Sequence, residues 1–166
     1  MVATFEWDEF NGAGKTQTHG LSNGNFGNHD EANLDITVED HKIPRGENSY
    51  SKYIVGHFSG SYTQIGPNGK LWKSAGSLPS GVTLKAAMTN TYATPTKTGT
   101  GDSDIPTAEG SALEVHFGAT PETATTDTTT ENPAYSAYYR GQLNTTGSAP
   151  TGAIGAQTIT LKYDES

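Results

Sequence analysis

Apolar and polar residues alternate with period two along seven stretches of the chain, the pattern of strands that bury one face and wet the other. Ala3, Phe5 and Trp7 alternate with Thr4, Glu6 and Asp8, and Leu34, Ile36 and Val38 with Asp35, Thr37 and Glu39. A longer run sets Tyr50, Ile54, Phe58 and Tyr62 against Ser51, His57, Ser59 and Ser61, with Tyr53 and Val55 breaking the polarity of the second face. Val82, Leu84, Ala86 and Met88 form the next stretch, followed by Leu113, Val115 and Phe117. Tyr135, Ala137, Tyr139 and Leu143 oppose Ser136, Tyr138, Arg140 and Gln142, and Ile159, Leu161 and Tyr163 complete the series. Asn68-Gly69 predicts a tight reversal within residues 65–70, after which Leu71 and Trp72 resume, with Trp72 anchoring the core.

No window sustains an apolar period of 3.6, which disfavours a helical repeat, a coiled coil or a βαβ fold. The pattern predicts an all-β chain: one domain over residues 1–166, an immunoglobulin-like β-sandwich of about seven strands, with a jelly roll as the alternative. Three segments fall outside the alternation. Residues 8–32, rich in Gly and Asn, read as an extended arm or loop that orders on a neighbour. Residues 89–109 and 119–133, rich in Thr and punctuated by Pro, read as exposed loops.

Composition narrows the possible partners. The formal charge of −8 and ten scattered cations leave no basic stripe for phosphate recognition, so nucleic acid is not an expected partner. No stretch has the apolar length of a membrane-spanning helix, and the first residues lack the basic and apolar regions of a signal peptide, so no membrane partner is expected. With no cysteine, a disulfide framework, a thiolate zinc cluster and a thiol nucleophile are excluded.

Candidate chemistry is sparse. Gly12-Ala13-Gly14-Lys15-Thr16 resembles the end of a phosphate-binding loop, but the motif's first glycine position holds Glu9, so a glycine turn is the expected reading. Among the five histidines, His29-Asp30-Glu31 with Asp40-His41 is the densest polar cluster, and none shows a recognised ligand spacing. His57 and His116 fall on faces expected to be solvated, and a metal site, were there one, is expected between subunits. Asp102-Ser103-Asp104 offers too few carboxylates for calcium. There is no Gly-x-Ser-x-Gly elbow and no carboxylate pair that stands out, so no enzyme activity, catalytic residue, cofactor or metal is expected. Tyr53, Tyr135, Tyr138 and Tyr139 suit a sugar-stacking platform or, more commonly, a core or subunit interface. The expected partner contacts are Phe10, Phe26, Tyr53, Val55 and Tyr138.

One resemblance adds to this. Leu71-Trp72-Lys73-Ser74-Ala75-Gly76-Ser77-Leu78-Pro79-Ser80-Gly81-Val82-Thr83-Leu84-Lys85, followed by Thr91-Tyr92-Ala93-Thr94-Pro95, resembles small structural proteins of tailed bacteriophages. The close, from Tyr135-Ser136-Ala137-Tyr138-Tyr139 to Gly155-Ala156-Gln157-Thr158-Ile159-Thr160-Leu161-Lys162-Tyr163-Asp164-Glu165, is similar to the end of the same family. Residues 11–32 lie outside the likeness, and no functional residues come with it. What the resemblance implies is a non-enzymatic virion component: a capsid decoration or cement protein on the capsid exterior, assembled in the host cytoplasm. Its implied partners are the major capsid protein or other virion proteins, and its implied state is a homo-oligomer, a trimer by analogy. A receptor- or carbohydrate-binding appendage, or a tail- or pilus-like structural subunit, is the competing expectation.

Overall fold

A computed structural model describes residues 3–60, 65–116, 128–129 and 138–165. Its strands are β1 (Ala3–Asn11), β2 (Thr16–Thr18), β3 (Lys52–Gly60), β4 (Ile65–Ala75), β5 (Val82–Thr89), β6 (Leu113–His116), β7 (Thr128–Thr129), β8 (Tyr138–Thr145) and β9 (Thr158–Glu165). They form two antiparallel sheets. The larger runs β2-β1-β3-β8-β5, with β7 also pairing to β3, and the smaller runs β6-β4-β9. The helical pieces among the described residues are single 3-10 turns at Glu39–His41 and Glu109–Ser111.

The sheets pack face to face as a β-sandwich. Alternation sends Ile54 and Phe58 of β3, Val82 and Leu84 of β5, and Tyr139 and Leu143 of β8 into one cluster with Ile65 and Leu71 of β4 and Val115 of β6. Ile159, Leu161 and Tyr163 of β9 and Phe5 and Trp7 of β1 pack against it. The Phe5 ring lies 5.2 Å from Phe58 on its own sheet and 5.8 Å from Tyr163 on the other, joining the layers. Each fully buried side chain of this size contributes about 1.5–3 kcal/mol.

Four sequence expectations change. Residues 34–38 are not a strand: Leu34 is buried while Ile36 and Val38 are exposed. The chain bends there because Asp35 Oδ1 accepts from the Thr37 amide (2.9 Å) and hydroxyl (2.6 Å), and no strand among the described residues pairs with it. Asn68-Gly69 is not a reversal but lies inside β4. Partners on both sides hold it extended, Asn68 opposite His116 and Gly69 opposite both Val115 and Tyr163, with the excess residues taken up by an irregularity between Ile65 and Gly69. Ile65 and Leu71, rather than Trp72, are the fully buried large side chains of that strand.

Residues 8–32 do not extend as an arm. β1 runs to Asn11, turns where the Lys15 amide donates to Gly12 O (3.1 Å), and returns as β2, which pairs from Glu9 with Thr18 to Asn11 with Thr16. The following segment docks on the sandwich, with the Leu21 amide on Trp7 O (2.8 Å) and Leu21 and Phe26 against the main core. Gly27 passes so close to Leu34 that a Cβ there would lie 2.1 Å from Leu34 Cδ2. The physical reason is burial of apolar surface: Leu21 and Phe26 pack against the main core and, with Trp7, Leu143 and Ile159, line one cavity beside it. Residues 89–109 are mostly exposed as expected, yet Ile105 is buried beside β5, its amide donating to Leu84 O (2.9 Å). The stretch 119–133 lies outside the described residues apart from β7, as do Tyr62, Phe117, Tyr135 and Ala137.

Candidate functional site

The second face of the β1–β3 ladder has two ends of opposite character. Antiparallel register sets Phe10 opposite Tyr53, Asp8 opposite Val55 and Glu6 opposite His57, all on one side of the sheet. At the aromatic end, Phe10 and Tyr53 meet Tyr138 edge-on at 5.5 and 5.9 Å between ring centroids. Tyr92 lies over them, 5.0 Å from Tyr53, and its hydroxyl donates to Gly12 O at 2.6 Å. Burial, with Asp30 adding to it, pushes the Tyr92 hydroxyl up to about 12, so it remains a donor. The Lys15 ammonium stands 5.1 Å above the Phe10 ring.

This corrects the expected partner surface. Phe10, Tyr53, Val55 and Tyr138 are at most 3% exposed, because Tyr92 and its segment cover a face that alternation alone assigns to solvent. Phe26 is half-buried against the main core. The tyrosine platform suited to sugar stacking is not presented either, since Tyr53, Tyr138 and Tyr139 are interior; Tyr135 lies outside the described residues. Burial pushes the Tyr139 hydroxyl upward as well.

The polar end gathers Glu6, Asp8, His19 and His57, whose potential ligand atoms all lie within 4.8 Å of one another. His57 Nδ1 is 2.9 Å from Glu6 Oε1 and 3.3 Å from Asp8 Oδ2, and His19 Nδ1 is 2.8 Å from Asp8 Oδ2. Asp8 is fully buried, and its carboxylate also accepts from Gln17 Nε2 (2.9 Å) and the Gly20 amide (3.0 Å). Gly20 has φ +62°, a conformation that favours glycine, and a Cβ there would sit 3.1 Å from Glu6 Oε2. The local cause is simple: Glu6 and Asp8 are two apart on one strand, the β1–β2 turn brings His19 back beside them, and the β3 register delivers His57.

Sequence reasoning placed His57 on a wet face and counted His19 only as one of five histidines able to supply a metal ligand, with no recognised spacing. The available signal was Glu6-x-Asp8 followed by a glycine turn and a histidine on the return path. The cluster it singled out instead divides. The His29 and His41 rings are 4.7 Å apart, but Asp30 accepts from Asn11 Nδ2 and the Gly12 amide, both at 2.7 Å, and His41 Nδ1 lies 2.8 Å from Asp35 O. Gly12-Ala13-Gly14-Lys15-Thr16 is the β1–β2 turn, as the missing motif glycine predicts. Asp102 is held by Arg140 Nε (2.9 Å) and Nη2 (2.5 Å), and Asp104 by Lys85 (2.7 Å), so both carboxylates of that loop face the chain's own cations. Partial burial would raise Asp102, and the Arg140 contacts outweigh it and hold the carboxyl below its ordinary value.

A separate feature opens beside the main core. A cavity of about 1130 Å³ has Trp7, Leu21, Phe26, Ile36, Leu143 and Ile159 in its lining. Ile36 and Val38, 38% and 42% exposed, are the exposed large hydrophobics among the described residues. Compared with known families, with curated proteins and with solved structures, the chain matches none.

Proposed function

We propose that this chain is a non-enzymatic structural protein of a virus particle, a capsid decoration or cement subunit that seats an apolar segment of a neighbouring shell protein at the cavity beside Ile36. The observation that carries the reading is Ile36: it lines the cavity and is itself exposed at the surface, and Val38, two residues on, is exposed as well. An enclosed small molecule would leave that outer apolar surface wet, whereas a protein segment covers both parts. Burying each side chain favours association by about 1.5–3 kcal/mol, and symmetry-related copies on one shell reinforce one another through effective concentration.

Internal bracing supports a load-bearing role. Gln142 Nε2 donates to Ser49 O (3.0 Å) and Thr98 O (3.1 Å) while its Oε1 accepts from the Thr100 amide (3.2 Å), tying a surface loop to β8. The likeness to phage structural proteins in residues 71–95 and 135–165 points the same way.

The informative variant is the double substitution Ile36→Asp, Val38→Asp. Mass spectrometry of purified particles of the parent virus should find the wild-type chain at a copy number set by capsid symmetry. The double variant should remain folded by circular dichroism and fail to sediment with particles. Absence of the wild-type chain from particles, or unchanged association of the variant, overturns the reading.

A further inference from the structure

We infer that Glu6, Asp8, His19 and His57 form a binding site for one divalent first-row transition ion, of which zinc fits the donor set best. Two imidazole nitrogens and two carboxylates are a mixed nitrogen and oxygen set, which suits zinc and its neighbours, whereas calcium and magnesium take oxygen ligands. Four donors each about 2.1 Å from a tetrahedral ion stand about 3.4 Å from one another. The contacts of 2.8, 2.9 and 3.3 Å and the 4.8 Å overall spread straddle that spacing. Small side-chain rotations suffice to close the shell.

The charge balance argues for the same occupant. Asp8 is fully buried, its hydrogen-bond and ion-pair partners among the described residues are two imidazoles, the Gln17 amide and the Gly20 N–H, and the Glu6 carboxylate lies within 4.8 Å. A buried carboxylate is costly unless a cation meets it. Neither Gln17 nor Gly20 carries charge, and an imidazole supplies it only when protonated, whereas a divalent ion bound to neutral imidazoles supplies it outright. Gln17 and Gly20 hold the Asp8 carboxylate in place, the outer-shell arrangement that orients a metal ligand. With four positions filled by the protein the site is closed, so its role is to tie the edge hairpin β1–β2 to β3 rather than to present a reactive water.

The site is independent of the capsid reading and is tested on the isolated, tag-free chain after chelator treatment. Titration calorimetry with zinc chloride should give one ion per chain, and cobalt should develop the visible absorption of a four-coordinate centre. His19→Gln, at a half-exposed position that tolerates change, should weaken zinc binding by more than about 100-fold, and Gln17→Ala by about 10-fold, the effect of losing a supporting residue. Asp8→Asn should abolish binding; if it fails to fold, His19→Gln decides. No binding of zinc or cobalt by the wild type, calcium bound in preference to zinc, or wild-type affinity in His19→Gln overturns the assignment.

Discussion

Asp8 and Glu9 are adjacent on β1, both fully buried, and face opposite sides of the larger sheet. Glu9 meets a lysine: Lys52 Nζ lies 2.6 Å from Glu9 Oε1 and also donates to Glu31 O at 3.1 Å. Asp8 meets two histidines and neutral donors. A lysine completes the first arrangement within the chain, its ammonium donating to the carboxylate at 2.6 Å. Imidazoles leave the second open to an incoming ion, since their neutral nitrogens are ligands. One strand thus carries an ion pair on one face and, on the other, the carboxylate of the inferred metal site.

The comparison breaks first at Lys52. Lys52→Met leaves Glu9 buried without its cation and should cost about 3–5 kcal/mol in urea unfolding. Adding Glu9→Gln to that variant should recover most of the loss; an equal cost with and without Glu9→Gln would show that the charge pair is not what matters.

A smaller effect separates the two faces. At zinc concentrations 100 times the dissociation constant, wild type should gain about 2.7 kcal/mol over the chelated protein. Lys52→Met should retain this gain on its lower baseline, and Asp8→Asn should lose it. A zinc gain that survives Asp8→Asn would remove the distinction between the faces.

The smallest effect is in pH. Burial, opposed by Lys52, leaves the Glu9 carboxyl raised above 4.5. Its contribution to stability is therefore fully present below that ordinary value and lost as pH rises through the raised one. Asp102, lowered below 3.8 by Arg140, acts with the opposite sign: its contribution is present above the ordinary value and lost as pH falls through the lowered one. Stability measured against pH should lose the first slope in Glu9→Gln and the second in Asp102→Asn, and an unchanged profile in both would contradict the assignment.

Most of the strand positions were legible because alternation reports side-chain direction locally. Phe5 and Trp7, Val82 and Leu84, and Ile159 and Leu161 all turn inward as their spacing requires. The same local signal misled at 34–38, where an Asp35 turn outweighed it, and at Asn68-Gly69, where two flanking strands outweighed a turn preference. The polar cluster was hidden for a different reason. Its four members are spread from Glu6 to His57, and only β1–β3 register and the β1–β2 turn bring them together.

By itself, then, the sequence determined the all-β character, most strand identities and the glycine turn after β1, because each follows from backbone direction and steric freedom within a few residues. Tertiary structure decided which faces are wet and what each buried charge meets. Tyr92 seals the aromatic end through a bond to Gly12, 80 residues away, and His57 reaches Glu6 only across a completed ladder. Burial and charge pairing are properties of the neighbours a fold supplies, and alternation along one strand carries no information about them.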